Sequence, residues 1–298
     1  MQGAADLSAA KYGGLIPPDV MNELWDISKI PLPVTDAIGT DDSQDEKKSW
    51  VKDVLATPNV DNAYSEKHTW TTEDDTVESE RVQNFVQLAM KRVKVSTRAR
   101  DTAEYATNDT LSTQIVRRQQ ELRRDVESIM LRTDQASQAD AGTSTPGKMG
   151  SLGTWIETSY DAGATGAAGG FDLNTGLTVA PTAGTPRDIT ETEIRAIASS
   201  VWKEGGDPSL FVSMPDVKNA FAQYLFTSSA RVGTVYSDTG QNDGAVRAKG
   251  NIRIFESDDD VTLTLIGNRL MQASDPLGTP YTAIYLIDPQ YLSLAYVT

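Results

Sequence analysis

Few residues of this chain combine the types and spacing that chemistry at a protein site requires. His68 is the only histidine and there is no cysteine, which excludes a His-rich or Cys-ligated zinc site and leaves one candidate base for a Ser-His relay. His68 lies between Lys67 and Thr69 in an acidic, polar segment, so we interpret it as an ordinary exposed histidine. The consecutive carboxylates of residues 258–260 lack the glycine and spaced ligands of a calcium loop, and a solvated turn is favoured.

A second candidate is the run GATGAAGG at residues 163–170, whose glycines suggest a phosphate-binding loop. No strand pattern precedes it and no capped helix follows it, so a flexible surface loop is the better interpretation. The sequence also contains no G-x-S-x-G elbow and no Walker loop. We therefore predict no catalytic residue, no cofactor and no metal, and a protein that is not an enzyme. A soluble enzyme that uses some of the 42 acidic residues is the least favoured alternative.

The composition of the 298 residues indicates a soluble protein. A net charge of -15 argues against binding nucleic acid by phosphate neutralisation. Met1 does not begin a signal peptide, and no window approaches the roughly 20 apolar residues of a membrane-spanning helix. Stability must come from packing and association, because disulfides are excluded.

Residues 59–141 run 83 positions without Gly or Pro, which predicts an extended structure. Alternating apolar residues at 82–90 and 93–95 predict half-buried strands that return from a two-stranded excursion beginning at Trp50. A long helix is predicted from about Thr102 to Gln138, and the rest of its surface is charged. Its apolar stripe contains Leu111, Ile115, Leu122, Val126, Ile129 and Met130.

The last part of the chain, from about Leu177, has the pattern of an α/β unit. Thr190 and Glu193 form a capping box for a helix that ends at Gly205, and Pro215 begins a second helix after a short strand at 210–212. Further strands are predicted around residues 252–254, 261–265, 284–286 and 292–294.

Two neighbouring segments of the chain carry net charges of opposite sign. Residues 41–80 hold 12 acidic and 4 basic side chains, a net of -8, whereas residues 81–132 hold 6 acidic and 11 basic ones, a net of +5. Exposed pairs between such segments contribute only about 0.2–1 kcal/mol each. Repeated around a closed assembly, they would orient the contacts between copies.

Several segments follow one another in a recognisable order: IPLPVTDAIGT, SWVKD, RVQNFVQLAMKRVKVSTRARDT, a helix ending QQELRRDVES, SLGTWIET, and IGNRLM followed by YLIDPQYLSLA. Their order resembles that of tailed-bacteriophage major capsid proteins of the HK-ninety-seven-like fold. The resemblance covers almost the whole chain and implies an α+β fold. It implies an N-terminal arm (1–49), an extended β-hairpin loop (50–92), a peripheral domain with a long spine helix and a Gly-rich loop (93–176), and an axial α/β domain (177–298) whose strands return to the peripheral domain.

By this resemblance we expect a coat protein that forms the hexamers and pentamers of an icosahedral head. The head would enclose double-stranded DNA without sequence-specific binding. No membrane is expected as a partner. The protein would be assembled in the host cytoplasm and located in the virion. No extra N-terminal scaffolding region is expected before the arm, because Met1 lies close to it, and the resemblance therefore implies a separate scaffolding protein. A portal protein and a decoration protein are expected as further partners, and we expect the shell to close without covalent cross-links. A bacterial nanocompartment shell, which has the same fold and encloses cargo enzymes, is the main alternative.

The resemblance and the charge pattern together predict a contact between subunits. The extended loop would lie over a neighbour's peripheral domain, with acidic loop residues against basic residues of the spine helix. The predicted acidic residues are Glu73, Asp74, Asp75, Glu78 and Glu80, and the basic ones are Arg117, Arg118, Arg123 and Arg124.

Overall fold

The computed structural model describes residues 31–69, 79–97, 110–142, 144–227, 235–236, 247–248, 254–256, 261–271 and 282–297. The chain divides into two units. One contains residues 1–31 and 89–125, and the other contains residues 32–88 and 126–298.

Helix α1 (Thr110–Met130) accounts for most of the described part of the first unit and continues into the second. The predicted start near Thr102 lies outside the described residues. The helix ends at Met130, however, and not near Gln138. Arg132 donates its backbone N–H to Ile129, which tightens the last turn, and the Leu131 side chain is buried in the core. Gln138 instead forms an antiparallel bridge with Lys148.

Two strands form the base of the predicted excursion. Strand β2 (Lys47–Lys52) pairs antiparallel with β3 (Glu80–Phe85), with Trp50 opposite Val82. The prediction that strand structure continues beyond residue 85 is wrong, because residues 86–97 form no strand and Leu88 and Met90 are exposed. The described residues between β2 and β3, 53–69 and Ser79, also contain no strand.

A four-stranded sheet lies at the centre of the second unit. Its order is β11 (Tyr285–Ile287), β6 (Leu210–Ser213), β10 (Thr262–Gly267) and β9 (Ile254–Glu256). The pair β6 and β10 is parallel, whereas both outer pairs are antiparallel. These four elements confirm the strands predicted in this part of the sequence, although Ile252 lies outside the described residues.

Helices α3 (Glu191–Lys203) and α4 (Pro215–Thr227) pack on one face of this sheet. The capping box at Thr190 is present, and Gly205, at φ +89°, follows the end of α3 in a conformation that glycine adopts readily. Phe211 and Phe221 stack in the core on this side at a ring distance of 5.8 Å.

The opposite face of the sheet is covered by chain segments that are distant in sequence. Consecutive residues of β6 point to opposite faces, so Phe211 belongs to the helix side and Val212 to this second core. Val34 and Ile38 are also buried here, beside Leu131 and Tyr285. Residues 32–38, which were predicted to belong to an arm, therefore contribute to a folded core.

Strand β1 (Gly39–Ser43) follows directly and pairs in parallel with β12 (Ser293–Val297), which a 3-10 turn (Pro289–Tyr291) precedes. The sequence analysis missed β1. Its residues, GTDDS, have no apolar alternation, and Ser43 is the only one that is buried.

The remaining elements are short. Helix α2 (Leu152–Trp155) precedes a hairpin of β4 (Gly170–Asp172) and β5 (Leu177–Val179). Strands β7 (Val235–Tyr236) and β8 (Arg247–Ala248) form a separate antiparallel pair.

Candidate assembly surface

Side-chain amides attach the base of the β2–β3 hairpin to the loops around it. Asn84 accepts a hydrogen bond from the Gly150 N–H through Oδ1 at 2.8 Å and donates from Nδ2 to the Gly150 carbonyl at 3.4 Å. Gln83 donates to the Gly176 carbonyl at 3.1 Å. Gln87 accepts from Gln135 at 2.9 Å. Each of these bonds satisfies a part-buried polar group, so together they fix the base of the hairpin in one position.

Aromatic rings add a second attachment. The Trp50 ring on β2 lies 5.2 Å from the Trp155 ring, which in turn stacks on Phe171 of β4 at 5.6 Å. On the same hairpin, the Lys47 ammonium lies 5.0 Å above the Phe85 ring. Stacked and cation-π contacts of this kind stabilise by about 0.5–1.5 kcal/mol each. The hairpin base is therefore fixed by rings as well as by hydrogen bonds.

Beyond this base the chain exposes apolar side chains to solvent. Leu55 is 94% exposed and Val60 is 93% exposed, and Val54 is largely exposed too, as is Val51 on strand β2 itself. The Tyr64 ring lies 4.5 Å from the His68 ring, tilted by 41°, and His68 is exposed as predicted. Single exposed apolar residues are normal on protein surfaces, but a run of them within one segment is typical of an interaction site.

Helix α1 uses some of its charges within the subunit. Arg118 forms an ion pair with Glu121, three residues further along the helix, at 2.5 Å. Asp125 forms an ion pair with Lys91 at 2.5 Å. The Nε atom of Arg124 is buried without a hydrogen-bond partner, and Arg117 has no ion pair in the described part of the chain. Among the described residues, no acidic side chain forms an ion pair with Arg117 or Arg124, which are two of the predicted contact residues.

The exposed stripe of α1 is less charged than the sequence predicted. It contains Ser112, Ile115, Val116, Gln119, Gln120 and Arg123. Ile115 was assigned to the buried stripe, yet it is among the exposed large apolar residues together with Val116. Apolar and amide groups therefore dominate the solvent-facing side of this helix.

The predicted acidic partners are described only in part. Glu80 is exposed at the start of β3, opposite Lys52. Glu73, Asp74, Asp75 and Glu78 lie outside the described residues, so the contact between them and the arginines remains a prediction.

The Gly-rich segment at 163–170 leads into strand β4 and not into a helix. Arg187 attaches it to the start of α3, because its guanidinium binds Asp161 at 2.6 Å and Glu193 at 2.6 Å. The hydrogen bond from Arg187 holds the pKa of the Asp161 carboxyl below its ordinary value. This geometry is that of an anchored surface loop.

Among the described residues, no group of three or more His, Cys, Asp or Glu side chains could hold a metal ion. Residues 258–260 lie outside the described part of the chain. No described helix has the length and apolar character needed to cross a membrane. A cleft of about 740 Å³ is lined by mixed charges such as Asp42, Lys48 and Arg81.

A sequence profile of the SU10 major capsid protein family matches residues 3–298. The chain belongs to the SU10 major capsid protein family. A search of curated proteins finds no match.

Family membership identifies the protein as a bacteriophage major capsid protein, a structural component of the virion. A capsid protein of this family assembles into a shell, and the family is not one of enzymes. The nanocompartment alternative gains no support from the match. The fixed hairpin and the exposed apolar residues beyond it are therefore features of a coat subunit.

Sequence reasoning missed two features of this capsid protein. It took the loop for a purely acidic surface, although the exposed side chains of Val54, Leu55 and Val60 were visible in the sequence as apolar residues without periodicity. It also missed Glu127, whose side chain is buried on helix α1. No local signal marks Glu127, because its partners lie more than 90 residues away in the chain.

Proposed function

We propose that this capsid protein has the HK-ninety-seven-like fold and assembles as hexamers and pentamers into the icosahedral head of a tailed bacteriophage, around double-stranded DNA. The observation that carries the proposal is the match of the capsid family over residues 3–298. The α+β architecture, with helix α1 and several small sheets, is consistent with it. The domain boundaries 1–49, 50–92, 93–176 and 177–298 remain part of this proposal.

The geometry of the hairpin supports a role for residues 50–92 in assembly. A segment that reaches another subunit needs a fixed base and a surface that the partner covers. The base is fixed by the Asn84 bonds and the Trp50 ring, whereas Leu55 and Val60 are exposed in the single subunit. Burial of such side chains against a neighbour would supply association free energy by the hydrophobic effect. We propose that this segment lies on an adjacent subunit.

Charge complementarity is the second part of the proposed contact. The acidic residues 73–80 of one subunit would meet Arg117, Arg123 and Arg124 of the next. Arg118 contributes less to this contact than the sequence alone suggested, because it already pairs with Glu121. Exposed ion pairs add little affinity individually but favour one orientation of the partners. The apolar residues would then supply most of the affinity, and the charges would fix the register.

We retain a separate scaffolding protein, a portal protein and a decoration protein as proposed partners, with assembly in the host cytoplasm. The packaged DNA would be held without sequence-specific contacts, which fits a subunit of net charge -15.

Sedimentation velocity and negative-stain electron microscopy of the expressed protein test the proposal. We expect fast-sedimenting, closed shells, with or without a co-expressed scaffold. Particles purified from infected cells should contain nuclease-protected DNA. Particles that contain a protein cargo and no DNA would contradict the proposed head, and a small discrete oligomer under all conditions would contradict shell assembly.

A further inference from the structure

A single carboxylate joins three distant parts of the second unit. The side chain of Glu127, on helix α1, is 0% exposed. Its Oε2 accepts a hydrogen bond from the Thr35 N–H at 3.2 Å, and its Oε1 accepts from the Val34 N–H at 3.5 Å. Oε1 also accepts from Nδ2 of Asn268 at 2.5 Å, and Asn268 is itself only 1% exposed. Glu127 therefore connects residues 34–35, helix α1 and the end of strand β10.

The turn at residues 32–38 needs this acceptor. Asp36 donates its N–H to the Leu32 carbonyl at 3.0 Å, and Ile38 donates to Val34 at 3.1 Å, as in the first turn of a helix. The first N–H groups of a helical turn have no carbonyl partner within the turn. At Val34 and Thr35 the partner is Glu127, which acts as a cap supplied from 92 residues away in the chain. Without this carboxylate, two buried or part-buried N–H groups would lose their acceptor.

Burial of this carboxylate is costly, since no Lys or Arg forms an ion pair with it in the described part of the chain. Among the described residues, its hydrogen-bond donors are two backbone N–H groups and one side-chain amide, all of them neutral. An apolar residue in the same space would avoid that cost but would leave the N–H groups of Val34 and Thr35 and the side-chain amide of Asn268 without this acceptor. The carboxylate fixes the position of the turn relative to Asn268, because it accepts hydrogen bonds from both in a fixed geometry.

We propose that Glu127 is a latch that fixes the turn at residues 32–38 against helix α1 and the end of strand β10. The turn at 32–38 leads directly into β1, where the Gly39 N–H donates to the Leu292 carbonyl at 3.3 Å. Loss of the latch would release this turn while the four-stranded sheet stays folded. The consequence for assembly rests on the proposed shell: subunits with a released turn would present residues 32–38 in variable positions and would close shells poorly.

Hydrogen exchange of unassembled subunits tests the latch directly. In Glu127→Leu we expect the exchange rates of the Val34 and Thr35 amides to rise at least tenfold, while the amides of strand β6 keep the wild-type rate. Glu127→Gln keeps an oxygen for the Val34 and Asn268 donors but loses the acceptor of Thr35. It should therefore raise exchange mainly at Thr35, and it serves as the measurement if the leucine variant does not fold. Glu121→Gln, on the same helix at a part-buried position, is the matched control.

An equal rise in exchange at residues 34–35 and in β6 would show that Glu127 only stabilises the unit as a whole, and would overturn the latch. Unchanged exchange at Val34 and Thr35 in both variants would also overturn it. Shell formation by wild type, Glu127→Gln and Glu121→Gln is then compared by electron microscopy. If wild type forms no shells, the proposed function fails while the exchange result stands. If wild type and both variants form equally uniform shells, the proposed role of the latch in assembly is wrong.

Discussion

The double substitution Leu55→Ser with Val60→Ser separates folding from assembly. Both side chains are more than 90% exposed, at 94% and 93%, so their removal should change the free energy of unfolding by no more than about 0.5 kcal/mol. In the proposed shell both are buried against a neighbour. Burial of a Leu or Val side chain contributes about 1.5–3 kcal/mol, or about 3–6 kcal/mol for the two together. Since about 1.4 kcal/mol corresponds to a factor of ten, the affinity of each contact between subunits should fall by about 100- to 20,000-fold.

The assay is the lowest protein concentration at which shells form, measured by light scattering and checked by electron microscopy. The variant should show an increase of at least about 100-fold, or no shells, with the chemical denaturation curve of wild type. Leu173→Ser removes another exposed apolar side chain, on the β4–β5 turn, and is the matched control. Normal shells of the double variant at wild-type concentration would refute the argument that the loop supplies apolar contact.

The remaining predictions concern the hairpin base, the helix charges and the Gly-rich loop. Asn84→Ala removes two hydrogen bonds to Gly150 and should lower the free energy of unfolding by about 1–3 kcal/mol in urea denaturation; no change would show that water replaces them. Arg117→Glu should disturb shell closure and leave the denaturation midpoint unchanged, and normal closure would argue against the charge contact. Asp161→Asn should destabilise by less than about 1 kcal/mol at neutral pH. Because the pKa of Asp161 is lowered in the folded protein, its contribution to stability is present above the ordinary pKa of 3.8 and is lost as pH falls through the lowered pKa. A difference between wild type and variant that persists unchanged at low pH would contradict this.

The second half of the chain could be predicted well from sequence, because its signals are local. The capping box at Thr190, the proline at the start of α4 and the alternation of β10 each specify one element within a few residues. The strands of the central sheet are apolar enough to be recognised without their neighbours. Their pairing order, in contrast, is a long-range property that the pattern did not specify.

The first half was predicted less well, because distant partners determine its structure. Strand β1 is polar and forms only where β12 supplies a parallel neighbour. The end of α1 at Met130 has no Gly or Pro to mark it, and the chain leaves the helix where Leu131 is buried and Gln138 pairs with Lys148. Glu127 looked like one more charge on a solvated face. Its burial depends on the turn at Val34 and on Asn268, and neither is visible in a local window.

A cryo-electron microscopy reconstruction of the assembled particle tests the central claim most directly. We predict a closed icosahedral shell of hexamers and pentamers in which residues 53–64 of each subunit lie on an adjacent subunit, with Leu55 and Val60 buried. A closed shell in which both side chains remain exposed would contradict the proposed contact. A small oligomer with no shell would contradict the account as a whole.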